Sequence, residues 1–160
     1  MTEDLKHSSQ RIQDLLHEYE LNIKVIEFKE LTRTSKEAAR VIGCEVGQIA
    51  KTLIFRGKKT EKPFCVIASG KNRMDEKKIA KLFGEKIEKP DADFVKEHTH
   101  FIIGGIPPMG YPLKDKPLID KDLMAYEEIW AAAGTPYAVF RITPKDLVKI
   151  TSARIVKIHE

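Results

Sequence analysis

The chain predicts an α+β or mixed α/β fold, and three observations carry that expectation. Helical and strand patterns interleave along its whole length, several strand pairs are separated only by short turns, and no linker, repeat or low-complexity stretch divides it. Short turns between strands argue against a purely parallel doubly wound sheet. The expected architecture is a mixed sheet that can curl toward a barrel. With 160 residues, it should form one domain over 1–160, large enough to bury most of its apolar surface.

The elements follow in order. Leu5, Ile12, Leu15, Leu16 and Tyr19 recur at helical spacing, so a first helix should cover about residues 3 to 20. Ile23 to Phe28 alternates as a strand does. Thr34-Ser35-Lys36-Glu37 is a capping box that starts a helix ending at Gly43. Lys51 to Phe55 and Phe64 to Ala68 are the strongest strand signals, joined by the polar turn Arg56 to Lys62. Asp75 should cap a helix running through Lys81 and Leu82, and Asp91 another through about Lys96. Phe101 to Ile103 reads as a short strand entering a glycine-proline loop. Further strands are expected near Lys116 to Ile119, Glu128 to Ala132 and Tyr137 to Arg141. Thr143-Pro144-Lys145-Asp146 is a helix start, with proline at the first helical position, and Ser152 to Ile158 is a closing strand.

Composition narrows the class of function. No apolar run approaches the ~20 residues needed to span a bilayer, and the polar, amphipathic N-terminus does not read as a signal peptide. A cytoplasmic protein without membrane attachment is expected. Two cysteines, Cys44 and Cys65, make neither a disulfide framework nor a four-ligand zinc site. His98 and His100 would share one face of an extended strand, but no third ligand stands at suitable spacing, so no metal is assigned. A net charge of +4 suits a polyanionic partner without requiring one.

Three features remain as candidates for chemistry. Gly104-Gly105-Ile106-Pro107-Pro108-Met109-Gly110 combines residues that allow close backbone approach with prolines that stiffen it. It is either a tight structural turn or a loop presenting N–H groups to a carbonyl oxygen. Lys51, at the mouth of an apolar strand, is either an ordinary strand-end lysine or a cation for a phosphate or developing negative charge. Lys71, Arg73, Lys77, Lys78 and Lys81 cluster around a helix start. They could meet nucleic-acid phosphates or form a solvated face. There is no G-x-S-x-G elbow and no phosphate-cradling P-loop.

In order and spacing, these blocks resemble the YbaK/EbsC-type aminoacyl-tRNA deacylases, whose fold, a mixed, barrel-like β-sheet surrounded by helices, also serves as the editing domain inserted in bacterial prolyl-tRNA synthetases. The resemblance runs from about Thr34 to Ile158. It rests on Thr34-Ser35 with Ala38, Ala39 and Gly43, on Gly47 to Leu53, and on Gly104 to Gly110. Leu118-Ile119-Asp120, Trp130 to Gly134 and Leu147 to Val156 add support.

The resemblance implies a trans-editing hydrolase that removes a wrongly attached amino acid from tRNA, with Cys- or Ala-tRNA(Pro) as substrate. It implies no cofactor and no metal. The family's lysine falls on Lys51, expected to hold the backbone of the CCA end. Its G-x-x-P signature falls on Gly105 and Pro108, with Gly105 binding the aminoacyl carbonyl. Gly104, Ile106, Pro107, Pro108, Gly110, Thr34 and Asp120 are implied substrate-binding positions, and Lys71, Arg73, Lys77 and Lys78 tRNA-binding ones. Pro107 stands where the Cys-tRNA(Pro) deacylases carry a small polar residue, and a stiffer pocket favours a small side chain such as alanine. Water or a substrate group would be the nucleophile. The alternative is a non-catalytic aminoacyl-tRNA-binding module associated with a synthetase such as prolyl-tRNA synthetase.

Overall fold

The structure, a computed structural model, describes residues 3–160, with side chains from residue 7 onward. Among the described residues there are five α-helices, two short 3-10 helices and eight strands. Helix α1 (Glu3–Glu18) buries Ile12 and Leu16 completely. Truncating Leu16 to alanine would cost about 2–5 kcal/mol. The shorter helices are held by their ends. Thr34 accepts from the Glu37 N–H to cap α2 (Ser35–Ile42), and the left-handed Gly43 ends it. Asp75 caps α3 (Glu76–Phe83) and Asp91 caps α4 (Ala92–Thr99). Thr143 caps α5 (Pro144–Thr151), which starts with proline as expected.

The strands are β1 (Ile26–Glu27), β2 (Ile49–Gly57), β3 (Pro63–Ser69), β4 (Ile87–Glu88), β5 (Leu118–Asp120), β6 (Ile129–Ala132), β7 (Ala138–Ile142) and β8 (Arg154–Val156). They form one mixed sheet in the order β1-β7-β6-β2-β3-β5-β8, with β4 added beside β2. The β2–β3 and β6–β7 pairs are antiparallel, whereas β2–β6, β3–β5 and β5–β8 are parallel. This is the expected mixed sheet with surrounding helices. The path stays open, because β1 and β8 end it without pairing to each other.

Alternation along β2 and β3 divides the interior. Ala50, Ile54, Cys65 and Ile67 join the main core with Ile12, Leu16, Phe101, Ile106, Phe140 and Leu147. Phe55, Phe64, Val66 and Ala68 face the other way and pack with Ile79 of α3. Successive strand side chains point to opposite faces, so Lys51 projects on the α3 side and Thr52 on the main-core side.

One irregularity of the sheet positions the site. On the side away from β3, β2 pairs with β6 only at Ile49 and Ala50, and with β4 only at Arg56 and Gly57. Pro90 lies just beyond β4 and has no N–H with which to extend that ladder. The middle of β2 therefore has a strand neighbour on one side only.

Several expected elements come out differently. The strand foreseen over Ile23–Phe28 shrinks to two residues, because the Gln13 amide bonds Ile23 O and Val25 N in place of a neighbouring strand. Phe101–Ile103 is not a strand. Thr99 Oγ1 accepts from Phe101 N and Gly105 N closes a turn onto Ile102 O, which bends the segment away from any ladder. His98 lies in α4 and His100 is its left-handed cap, so the two do not share a strand face. The closing strand is confined to Arg154–Val156. Strand β4 carried no sequence signal, being two residues long.

Candidate active site

A cavity of about 280 Å³ opens at the unpaired stretch of β2. Its floor is Ile49 to Ile54 of β2, and one wall is the start of α2 with Arg33, Thr34, Ser35 and Ala38. Trp130, Ala131 and Ala132 of β6 close the second side, and Lys89, Pro90 and Val95 the third. Ile103, Gly104 and Ile106 descend from the glycine-proline loop. The inner surface is mostly alanine and branched aliphatic, whereas Arg33, Lys51 and Lys89 are exposed cations on its border. No aspartate, glutamate, histidine or cysteine is among the lining residues. The N-terminus of α2 adds the positive end of a helix dipole to the same region. The border thus favours anionic oxygens and the interior a small apolar group.

The loop is built to be rigid. Ile106 and Met109 are buried in the main core with Phe101. Tyr111 donates its hydroxyl to Pro107 O at 2.7 Å, and the Cys65 thiol lies 3.8 Å from the same hydroxyl. Burial pushes the Tyr111 hydroxyl well above its usual range and the Cys65 thiol up to about 12, so both stay protonated as donors. Gly104 adopts φ +95°, and a Cβ there would meet the Arg33 stem at 2.7 Å. At Gly105 a Cβ would sit 2.6 Å from backbone atoms of Thr135. Glycine is required at 105 because the β6–β7 turn packs directly beneath it.

The structure brings some sequence-predicted residues together and leaves others apart. Lys51, Thr34, Gly104 and Ile106 line the cavity. Gly105, Pro107 and Pro108 are buried behind it, and Gly110 lies against Ile12 and Leu15 of α1. The Gly105 N–H is already bonded to Ile102 O. Asp120 is fully buried, with its carboxylate accepting from Ser69 N, Asn72 Nδ2 and Asp122 N. It ties β3, the following turn and β5 together outside the cavity. Lys71, Arg73, Lys77 and Lys78 do not line the cavity either. Lys71 lies over the Tyr126 ring, and Lys78 donates to His159 O. Arg33 and Lys89 were not singled out in the sequence, since nothing local sets them apart from the neighbouring Lys29, Lys36 and Lys86. Among the described residues, no group of three His, Cys, Asp or Glu could hold a metal ion, and no helix is long and apolar enough to cross a membrane.

Comparison with known proteins adds an independent finding. The aminoacyl-tRNA editing domain family matches residues 29–150. The chain is 30% identical over 131 residues to the uncharacterized protein YwhH of Bacillus subtilis (strain 168), covering 82% of this chain and 83% of that one. It is 27% identical over 126 residues to EbsC of Enterococcus faecalis (strain ATCC 700802 / V583), described as a candidate Cys-tRNA(Pro)/Cys-tRNA(Cys) deacylase. That match covers 78% of this chain and 76% of EbsC. A crystal structure described as a candidate trans-editing enzyme for prolyl tRNA synthetase superposes with a TM-score of 0.88 at 42% identity. It covers 96% of this chain and 97% of that one. The matched segment contains β2, the glycine-proline loop and every wall of the cavity, and the chain belongs to the aminoacyl-tRNA editing domain family.

Proposed function

We propose that the chain is a single-domain trans-editing hydrolase that cleaves the ester of mischarged aminoacyl-tRNA, with Ala- or Cys-tRNA(Pro) as substrate. One observation carries the reading: three cations from distant segments, Arg33, Lys51 and Lys89, border a small apolar cavity without an acidic residue in its lining. An aminoacylated CCA end is matched on both counts. Its phosphates meet the cations, and its amino-acid side chain enters an interior lined by Ala38, Ala50, Ala131 and Val139.

The chemistry asks little of the protein. An aminoacyl ester is already activated, so holding it beside a water and offering fixed N–H donors to the carbonyl supplies the barrier reduction. Among the described residues, the Gly104 and Ile106 N–H groups have no backbone or side-chain acceptor, and both residues border the cavity. They are better placed as donors than Gly105, whose N–H is occupied. Pro107, whose carbonyl is held by Tyr111, acts on the pocket through its neighbour Ile106. Small lining residues favour alanine or cysteine over larger side chains. The partnership with prolyl-tRNA synthetase suggested by the structural relative belongs to this same reading.

The test is a deacylation panel of tRNA(Pro) charged with Ala, Cys, Pro or Ser, plus Ala-tRNA(Ala). Alanine or cysteine should be released from tRNA(Pro) well above the buffer rate, and Pro-tRNA(Pro) should be spared. Release of none, with tRNA binding retained, would instead favour a binding module.

A further inference from the structure

Thr52 is nine-tenths buried, at 8% exposure, and lines the cavity, yet its Oγ1 has no hydrogen-bond partner. Buried hydroxyls in folded proteins are almost always bonded, and with no protein atom bonded to it this one is left for a molecule that enters the cavity. The main chain adds to it. Ile49 O and Gly57 N bond toward the β3 side, at Gly70 and Lys62. In an antiparallel ladder, alternate residues bond to the same neighbour, which assigns the odd positions from 49 to 57 to β3. The N–H and C=O of Thr52 therefore point the other way, into the gap between β6 and β4.

The remaining hydroxyls of the cavity are less available. Thr32 Oγ1 donates to Pro136 O, Thr34 Oγ1 is engaged with Glu37, and Ser35 is only half-buried at the entrance. Arg33, Lys51 and Lys89 are donors only. Among the described residues, Thr52 thus offers a substrate N–H the one buried hydroxyl of the cavity left without a protein partner, with its own carbonyl beside it.

We infer that Thr52 is a substrate-positioning and specificity-determining residue, whose hydroxyl and carbonyl accept the α-amino group of the aminoacyl ester. This rests on the editing reading above. The bound amino acid lies against β2 as a one-residue strand, its α-nitrogen toward Thr52 and its side chain toward the alanine-rich wall. The free edge left where Pro90 ends β4 is the seat for it. The site then distinguishes an aminoacyl ester from an N-acylated one, whose nitrogen carries a bulky group and a single remaining donor.

The test compares the parent, Thr52→Val and Thr52→Ser on Ala-tRNA(Pro) or Cys-tRNA(Pro), whichever the parent cleaves, and on its N-acetylated form. The parent should prefer the free amino group by about tenfold or more, the worth of one hydrogen bond to a charged or strongly polar donor. Thr52→Val should lose most of that preference by slowing only on the free substrate, and Thr52→Ser should keep it. Thermal melts accompany the assay, and Thr52→Ala replaces the valine variant if the latter melts below the assay temperature. A hydroxyl-free variant with the parent's preference, a parent with no preference, or a serine variant as impaired as valine would overturn this inference while leaving the editing reading intact. A parent that releases neither amino acid from tRNA(Pro) would overturn both.

Discussion

Two groups of cations in this chain, one clustered in the sequence and one assembled only by the fold, differ sharply in their surroundings. Lys71, Arg73, Lys77 and Lys78 are close in sequence, but Asp75 and Glu76 are interleaved with them, and Asp122 lies beside Asn72. The hydrogen bond from Asn72 holds the Asp122 carboxyl below its usual range, so it stays ionised next to the lysines. Arg33, Lys51 and Lys89 are far apart in sequence and meet around one cavity with no acidic lining residue. Density of charge along a chain reports a solvated surface; convergence of charge on a concavity reports a binding site.

That contrast can be broken most severely at Lys51. Lys51→Ala should lower the rate of deacylation about 10²-fold, the scale of losing one fixed charge-stabilising donor, with bulk tRNA binding largely kept. A variant as active as the parent would remove the cavity from the reaction. Gly105→Ala should be nearly as damaging for another reason. Its methyl would collide with the Thr135 backbone, costing about 1–3 kcal/mol as overpacking does. Lost activity should come with a lower melting temperature, and a stable but inactive variant would return Gly105 to a direct role at the carbonyl.

The two basic regions are then set against each other. Arg33→Ala and Lys89→Ala should each weaken substrate capture about tenfold and flatten the salt dependence of binding. Charge reversal of Lys77 and Lys78 should change turnover less than either and matter mainly at low salt, where surface charges are least screened. The opposite ranking would make α3 the principal tRNA contact. The smallest effect concerns the thiols. At pH 8, Cys44, partly exposed, should react with a thiol reagent, while Cys65, buried and raised to about 12, should react only on unfolding. Labelling of Cys65 in the folded protein would show that the Tyr111-anchored loop opens.

Much of the fold was legible because it is written in local chemistry. The caps at Thr34, Asp75, Asp91 and Thr143, and the two long strands β2 and β3, are where the sequence places them. The exceptions are segments whose backbone is satisfied from a distance. Gln13 replaces a strand partner for Ile23 and Val25, and Thr99 turns the chain at Phe101. For the site, Lys51 and the glycine-proline loop could be picked out through the order and spacing of the family-like blocks that hold them, since each alone reads equally as an ordinary strand-end lysine or a tight turn. Arg33 and Lys89 lie outside those blocks, and Thr52 lies inside one without a role of its own; all three become notable only through what the fold places around them. The division of labour within the loop was equally hidden, since the contact that forces glycine at 105 comes from Thr135, thirty residues away.

By itself, then, the sequence determined the mixed class of the fold, the helix ends, the two central strands and the segments that carry the family resemblance, because capping, periodicity and motif spacing act over a few residues. Only the tertiary structure decided that the middle of β2 lacks a second strand neighbour, that three scattered cations share that opening, and that Asp120 and Gly105 are buried behind it. Those outcomes depend on which distant backbones meet, and no local pattern encodes a meeting.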